Sequence, residues 1–234
     1  MSAPFFYIKE MNPDVAEILL DEATSRHISG VLRMKTGEAL NITDGLGNIY
    51  HCILTDNDKK KSKAEIKSSS FREKKKPTIS IGISLLKNPS RFEWFLEKAT
   101  EIGVQEINPI LSERTERSHF RHDRMQQILI SAMLQSQQTW LPVLHEPIPY
   151  KLLIEQKRDG IENLIAHCEA TDKKNLKDFS SDKNKLILIG PEGDFSPSEI
   201  QLALENNFTP VSLGNTRLRT ETAGMVAACL LALG

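Results

Sequence analysis

The sequence predicts an α/β protein in which a mostly parallel sheet follows a smaller β-rich domain. Near the C-terminus, two short apolar strands are each followed by a glycine-containing turn and a helix, which is the pattern of consecutive βα units. The N-terminal part contains several short strand-like runs instead. Since 234 residues can form one large domain or two modest ones, we expect domains over residues 1–72 and 73–234.

The N-terminal region has the composition of short strands. We predict strands over residues 4–8, 40–44, 49–55 and 64–68, with the turn cluster DGLGN between two of them. One helix, over residues 21–32, interrupts the series. Such a set of strands is typical of a small β-barrel.

A strongly basic segment follows. Residues 59–76, KKKSKAEIKSSSFREKKK, carry nine Lys or Arg and two Glu, whereas the whole chain has a net charge of -1. Such a run is most often a solvated strand edge and linker, and it marks the domain boundary here. The alternative is a footprint for RNA phosphates, with Phe71 available for stacking on a base.

The second domain begins with a βαβ unit. Its predicted elements are a strand over 78–85, a helix over 90–102 that Gly103 ends, and a strand over 107–111. A helix over 121–138, a short helical segment over 147–156 and a buried strand over 162–166 follow. Residues 172–184 are polar and predict no regular structure.

Two loops near the C-terminus are the candidate binding site. The strand over 186–189 ends at Gly190, and the next helix begins with Ser196, Pro197 and Glu199, which predict an N-cap, a first helical residue and a capping box. The second unit has a strand over 210–213, a turn at Gly214 and an apolar helix from about Thr220. Ligands bind beyond the carboxyl ends of parallel strands. However, glycine and proline also punctuate turns that bind nothing.

Several classes of protein lack support in the sequence. The chain contains neither the G-x-G-x-x-G pattern of dinucleotide-binding proteins nor the P-loop pattern. His119 and His122 stand in an Arg-rich turn without a Cys or carboxylate cluster, so we expect no metal. The sequence has no secretion signal and no membrane-spanning run, and its three cysteines are widely spaced. We therefore expect a soluble cytoplasmic protein.

Two motifs resemble a known family. The segment LIGPEGDFSPSEI, followed by SLGNTRLRTETA, is similar to the paired signature of the bacterial ribosomal RNA small-subunit methyltransferase E family, of the SPOUT superfamily. The segments KNPSRFEWFLEKATEIGVQEINPILSERTERS and RHISGVLRMKTGEALNITDGLG resemble further blocks of that family. The chain departs from the family at Asp194, where glycine is usual, and at Leu134 and Gln138, where charged residues are usual.

The resemblance implies a fold and a cofactor. It implies a trefoil-knotted SPOUT methyltransferase domain that dimerises, preceded by a PUA-like β-barrel that binds RNA. The apolar final helix suits an isologous homodimer interface, although burial within the monomer would equally explain its composition. The cofactor implied is S-adenosylmethionine, and the residues implied to bind it are His167, Cys168, Gly190, Glu192, Gly193, Leu213, Gly214, Leu218 and Thr220.

The resemblance also implies a reaction, which is methyl transfer to N3 of one uridine in the decoding region of 16S rRNA within the small ribosomal subunit. Arg219 is the candidate for stabilising the uracil anion, and Glu221 would orient it or accept a proton. The two side chains could instead simply pair with each other. The candidates for RNA binding are Arg26, His27, Arg33, Lys74, Lys75, Lys76, Arg91, Arg114 and Arg117.

Two other functions remain open from the sequence. One is a non-catalytic RNA-binding factor of ribosome assembly with the same fold, which the departures at Asp194, Leu134 and Gln138 favour. The other is a SPOUT methyltransferase acting on tRNA ribose. The N-terminal blocks and the LRTETA ending match the ribosomal RNA family better.

Overall fold

The structure is a computed structural model that describes residues 3–12, 15–116, 119–169, 172–179 and 182–232. The chain forms two compact units, one of residues 1–74 and 133–141, the other of residues 75–132 and 142–234. The first unit therefore includes a short segment from the middle of the chain.

A five-stranded sheet forms the first unit. Its strands are β1 (Phe5–Tyr7), β2 (Glu17–Leu19), β3 (Ala39–Thr43), β4 (Asn48–Asp56) and β5 (Lys63–Phe71). Their order is β1-β3-β4-β5-β2, in which β1 and β3 are parallel and the other pairs are antiparallel. The sequence did not predict β2, because it has three residues of which only Ile18 is buried.

One helical segment belongs to this unit. Helix α1 (Glu22–Arg26) begins after Asp21, whose side chain accepts a hydrogen bond from the Thr24 backbone amide at 2.7 Å. It continues directly as a π-helical turn over His27–Val31, so the predicted helix over 21–32 changes its winding midway. The buried side chain of Ile28 lies in that turn and joins Phe6, Leu40 and Leu54 in the core.

An eight-stranded, wholly parallel sheet forms the second unit. Its strands are β6 (Ile79–Ser84), β7 (Glu106–Leu111), β8 (Val143–Leu144), β9 (Ile148–Pro149), β10 (Ile161–Ala166), β11 (Lys174–Asn175), β12 (Asn184–Ile189) and β13 (Thr209–Ser212). The order is β11-β13-β10-β12-β6-β7-β8, and β9 also pairs with β7. The central strands β6 and β12 are almost entirely buried, as expected for strands covered on both faces. In β12 residues 186–189 form an apolar run, whereas in β6 isoleucines alternate with serine and glycine.

The helices that connect the strands of the parallel sheet or follow them begin and end largely where the sequence predicts. They are α2 (Pro89–Ile102), α3 (His122–Gln135), α4 (Tyr150–Ile154), α5 (Pro197–Glu205) and α6 (Thr220–Ala232). Gly103 ends α2 in the left-handed conformation, with φ of 97°. Helix α6 packs closely on α2, because a Cβ atom at Gly224 would lie 2.7 Å from Cε2 of Phe95.

Three predictions about individual segments were wrong in part. The segment 147–156 begins with β9 rather than with helix, and only Tyr150–Ile154 is helical. The segment 172–184 holds β11, which pairs with β13, and a 3-10 turn over Leu176–Asp178 in which Leu176 is buried. Helix α3 ends at Gln135 rather than at residue 138, since Gln137 adopts a positive φ of 54°.

Candidate functional site

A cavity of about 940 Å³ lies at the carboxyl edge of the parallel sheet, within the second unit. Three loops form it, and each follows one of the adjacent strands β10, β12 and β13. This is the edge at which parallel sheets bind ligands, because loops from neighbouring strands converge there. The topology therefore places residues from three distant parts of the sequence around one space.

All of the residues that the family resemblance implies for cofactor binding line this cavity. His167 and Cys168 come from the loop after β10. Gly190, Glu192 and Gly193 come from the loop after β12, and Leu213, Gly214, Leu218 and Thr220 from the loop after β13. Gly190 makes a close turn, since a Cβ atom there would lie 3.0 Å from the backbone nitrogen of Phe195. Leu213 and Leu218, both half-buried, add apolar surface to the cavity wall.

Asp194 joins two of the three loops. Its backbone is left-handed, with φ of 62°, which explains why a residue other than Asp, Asn or glycine would be strained there. Its Oδ1 accepts a hydrogen bond from the backbone amide of Phe195 at 2.8 Å, and its Oδ2 accepts one from the amide of Cys168 at 2.7 Å. The departure from the family's glycine thus supplies a link between the loops after β10 and β12.

The capping box at the start of α5 holds the same loop from its other end. The Ser196 hydroxyl accepts from the Glu199 amide, and the Glu199 carboxylate accepts from the Ser196 amide at 2.9 Å. The second oxygen of Glu199 accepts from the amide of Glu113 at 2.8 Å. The loop from residue 190 to 195 is therefore fixed between a strand and a fully capped helix.

His167 is the most unusual polar side chain of the cavity. It is only 8% exposed, and neither of its ring nitrogens has a hydrogen-bond partner among the residues that the structure describes. Burial, followed by the nearby Lys173 ammonium, lowers the pKa of its imidazole below 6.5, although Asp194 and Glu169 act in the opposite direction. At neutral pH the ring is therefore uncharged and carries one donor and one acceptor, and both nitrogens are buried in this structure.

The neighbouring thiol is not activated. Cys168 is exposed to the cavity, but partial burial and then the charge of Asp194 raise the pKa of its thiol. A thiol whose pKa is raised stays protonated near neutral pH and is a poor nucleophile.

Three guanidinium groups surround the opening. Arg114 donates from Nη1 to the carbonyl of Gly193 at 2.7 Å, and Arg217 and Arg219 are exposed on the loop after β13. No side chain in the described ranges forms an ion pair with Arg219. Its charge is therefore available to an anionic or polarised ligand in the cavity.

Glu221 lies close in sequence but not on the cavity wall. It is 8% exposed, and its Oε1 lies 3.6 Å from Nε of Arg91, which belongs to α2. Its Oε2 is buried without a hydrogen-bond partner in the described part of the chain. The structure thus pairs Glu221 with Arg91 rather than with Arg219.

The remaining candidates for RNA binding are dispersed. In the first unit, Arg26 forms an ion pair with Glu22, and the ring of His27 lies edge to face with that of Phe6, with centroids 6.2 Å apart. Arg33 is exposed and has a φ of 52°. Lys74 is exposed there as well, while Lys75 and Lys76 are exposed in the second unit. Arg114 alone of these candidates lines the cavity, and Arg117 lies outside the described residues.

Several residues that line the cavity are not among the predicted site residues, and they include Lys173, Asp194 and Arg217. Lys173 donates from Nζ to the carbonyl of His167 at 2.6 Å, yet it lies in a segment predicted to be irregular. Asp194 and Arg217 line the cavity as well, and both lie inside the motifs that carry the resemblance. Their position within these loops was the available signal.

Metal and membrane features are absent from what the structure describes. Within those ranges, no group of three or more His, Cys, Asp or Glu side chains could hold a metal ion. Among the described helices, none is both long and apolar enough to span a bilayer.

Comparison with known proteins places this architecture in a class. Residues 72–232 match the model of the RNA methyltransferase domain, and residues 20–67 match that of the RNA methyltransferase PUA domain. The parallel sheet with its three-loop cavity and the small N-terminal β domain are thus the two parts of an RNA methyltransferase fold. 

Individual relatives identify the family within the RNA methyltransferases to which this chain belongs. Ribosomal RNA small subunit methyltransferase E of Synechocystis is 31% identical over 220 residues, which cover 91% of this chain and 71% of that protein. The chain belongs to the ribosomal RNA small subunit methyltransferase E family.

Two solved structures are similar to this chain over nearly its full length. The crystal structure of a probable rRNA methyltransferase from Porphyromonas gingivalis has a TM-score of 0.90 and 38% identity, and covers 98% of this chain and 99% of its own. The structure of a ribosomal RNA small subunit methyltransferase E from Neisseria gonorrhoeae, bound to S-adenosylmethionine, has a TM-score of 0.86 and 29% identity, and covers 97% and 96%.

Proposed function

We propose that this protein uses S-adenosylmethionine to methylate N3 of one uridine in the decoding region of 16S rRNA, with the small ribosomal subunit as substrate. The observation that carries the proposal is the convergence of all nine predicted cofactor residues on one cavity. Its relative from Neisseria gonorrhoeae is bound to S-adenosylmethionine.

The cavity has the properties that this cofactor requires. Its volume of about 940 Å³ is within the range of small-molecule pockets. Its loops offer backbone donors and acceptors for an adenine edge, and the uncharged ring of His167 lines the same cavity. Glu192 and Asp194 add negative charge beside a ligand that carries a sulfonium cation.

The chemistry divides between the cofactor and the side chains. S-adenosylmethionine supplies an electrophilic methyl group on its sulfonium. A uridine N3–H is a weak acid that must lose its proton before N3 can attack, and the negative charge then spreads onto the flanking carbonyl oxygens. The Arg219 guanidinium, which is exposed at the cavity, stabilises that charge. Glu221 stays our candidate for the orienting group or the acceptor of the proton, although in this structure its carboxylate lies beside Arg91 and not beside Arg219.

RNA must reach this cavity with the target base unpaired, because N3 lies on the pairing edge. We assign RNA binding to the PUA-like domain over residues 1–72 and to the cations Arg26, His27, Arg33, Lys74, Lys75, Lys76, Arg91, Arg114 and Arg117. Neutralising Lys74, Lys75 and Lys76 together should raise the KM for small subunits and flatten its salt dependence. An unchanged salt slope would refute their role as phosphate contacts.

We further propose that the methyltransferase domain, residues 73–234, carries a trefoil knot and forms a homodimer through its C-terminal part, in the cytoplasm. Helix α6 supports the dimer, since its apolar side chains Met225, Val226, Leu230 and Leu231 are only half-buried in one chain. Sedimentation of the purified protein at two concentrations tests this assembly, and a monomer at both would refute it.

Titration with S-adenosylmethionine, fitted per chain, is the first test of the function. Micromolar binding, followed by methylation at uridine N3 of small subunits from a strain lacking the protein, would establish it. If the cofactor binds but subunits are not methylated at N3, the substrate assignment fails. If neither binding nor methylation occurs, the chain is instead a non-catalytic RNA-binding assembly factor.

The catalytic assignments are tested in the same methylation assay. Removing one group that stabilises a developing anion typically costs about a hundredfold or more in kcat, which we expect for Arg219→Ala. Arg219→Lys retains the charge but not the planar fork, so it should recover part of the rate. Wild-type turnover by Arg219→Ala would remove its role, and wild-type turnover by Glu221→Gln would remove that of Glu221.

A further inference from the structure

An aromatic side chain is unusually exposed at the end of β5. Phe71 is 58% exposed, and its ring meets that of Trp140 edge to face, with centroids 5.9 Å apart. Trp140 comes from the segment 133–141 that completes the first unit. We refer to Phe71, Arg72, Lys74 and Trp140 as the aromatic platform.

The backbone below the platform is built to hold both rings. Gly47 has φ of 99°, and a Cβ atom there would lie 2.7 Å from Cε2 of Phe71 and 2.7 Å from Cζ2 of Trp140. The indole nitrogen of Trp140 donates to the carbonyl of Arg72 at 2.8 Å, and the amide of Arg72 donates to the carbonyl of Gly47 at 2.9 Å. Both rings therefore rest directly on fixed backbone, so the exposed ring of Phe71 is held in place.

Positive charge lies beside the rings. Nζ of Lys74 lies 5.6 Å from the centroid of the Trp140 ring, within the range of a cation–π contact. Arg72 donates from Nη1 to the carbonyl of Gln137 at 3.0 Å and remains exposed. Lys74 covers part of Trp140, which leaves Phe71 as the ring that is open to a ligand.

Together these features match a site for single-stranded RNA. Proteins bind unpaired nucleotides by stacking bases on exposed aromatic rings while nearby cations contact the phosphates. An apolar protein surface would be a poor occupant, because two cations flank the ring. Because the ring of Phe71 is already held in position, binding a stacked base costs less side-chain conformational entropy.

We propose that the aromatic platform binds an unpaired nucleotide of RNA, with its base stacked on Phe71 and its phosphate beside Arg72 and Lys74. That this RNA is ribosomal rests on the proposed function. The binding itself requires neither the cofactor nor methyl transfer, so the two proposals can fail separately.

The test measures binding of the full chain to two fluorescently labelled probes by anisotropy. One is an oligouridylate, and the other is a ribose-phosphate oligomer of the same length that lacks bases. Phe71→Leu should weaken oligouridylate binding by about ten-fold, as expected for the loss of one stacked base, and leave binding of the abasic probe unchanged. Phe71→Tyr, which retains a ring, should bind both probes like the wild type.

Two further variants complete the design. Trp94→Leu removes another exposed aromatic side chain, 44% exposed on α2, and should affect neither probe. Lys74→Gln should weaken binding of both probes and lower the salt slope by about 0.7, the value for one phosphate contact on a single strand.

The binding and folding controls decide the outcome. Wild-type oligouridylate binding by Phe71→Leu, an equal loss on both probes, or a loss in Phe71→Tyr would each overturn the proposal. Thermal unfolding of every variant establishes that it is folded, and if Phe71→Leu does not fold, Phe71→Met takes its place. A protein that binds oligouridylate through Phe71 but does not bind S-adenosylmethionine would refute the proposed function alone.

Discussion

Asp194→Asn tests whether the link between two cavity loops controls cofactor binding. Asparagine has almost the same shape as aspartate and tolerates the left-handed conformation with φ of 62° that this residue adopts. However, it offers one oxygen where the carboxylate offers two. Because Oδ1 and Oδ2 accept from the amides of Phe195 and Cys168 respectively, one of these amides must face an NH₂ group in the variant.

The size of the effect follows from the bond that is lost. A hydrogen bond to a charged group contributes about 1.5–3 kcal/mol, and we take the lower end because Asp194 is half-exposed. About 1.5 kcal/mol corresponds to roughly a ten-fold shift between the linked and the open loop. Since the apparent dissociation constant varies inversely with the fraction of the protein that is competent to bind, we expect S-adenosylmethionine to bind up to about ten-fold more weakly.

Calorimetric titration and amide hydrogen exchange together provide the assay. Asp194→Asn should bind the cofactor more weakly, and the amide of Cys168 or of Phe195 should exchange faster in the absence of ligand. Asp194→Gly, which restores the family's residue, loses both bonds but adopts the positive φ freely, so its melting temperature should stay near that of the wild type. If both variants bind with wild-type affinity and Cys168 exchanges no faster, the reasoning is refuted.

Three further predictions concern stability. Gly224→Ala should destabilise the protein by about 1–3 kcal/mol, since its Cβ would lie 2.7 Å from Cε2 of Phe95. Gly30→Ala is the control and should not destabilise the protein, because a Cβ at Gly30 would have nothing within 4 Å. The denaturant midpoints of the two variants and the wild type measure the difference. Ser196→Ala should cost about 1 kcal/mol through loss of the N-cap of α5, measured as a lower urea midpoint at unchanged slope. The folded-state pKa of His167 is below its ordinary value of 6.5, so the contribution of the neutral ring to stability is complete above pH 6.5 and is lost as the pH falls. His167→Gln should therefore show a shallower decline in unfolding free energy with falling pH. A pH profile identical to that of the wild type would contradict this.

The parts of the fold that the sequence predicted well are those set by local chemistry. The capping box of Ser196 and Glu199 was predicted and is present, because its two hydrogen bonds join residues three apart. The buried strand β12 was predicted from its apolar run over 186–189, since burial on both faces favours apolar residues along the strand. The positive φ of Gly103 likewise follows from the residue itself.

What the sequence could not predict depends on distant partners. Strand β11 has two exposed residues, Lys174 and Asn175, and is a strand only because it pairs with β13. The segment 133–141 joins the first unit through backbone bonds such as that from Gly47 to Thr139, which no local pattern indicates. The link from Asp194 to Cys168 spans 26 residues and needed the order of the strands to be known.

Glu221 illustrates how proximity in sequence misleads at the start of a helix. Arg219 precedes the first residue of α6 and Glu221 is the second residue of that helix, and the two side chains do not pair although they are nearly adjacent. Arg219 is exposed at the cavity, whereas Glu221 faces the interior and lies 3.6 Å from Arg91. Its unpartnered Oε2 would cost about 1–3 kcal/mol when buried in this way. The position of Glu221 is therefore set by its contact with Arg91 of α2 and not by its neighbour in sequence.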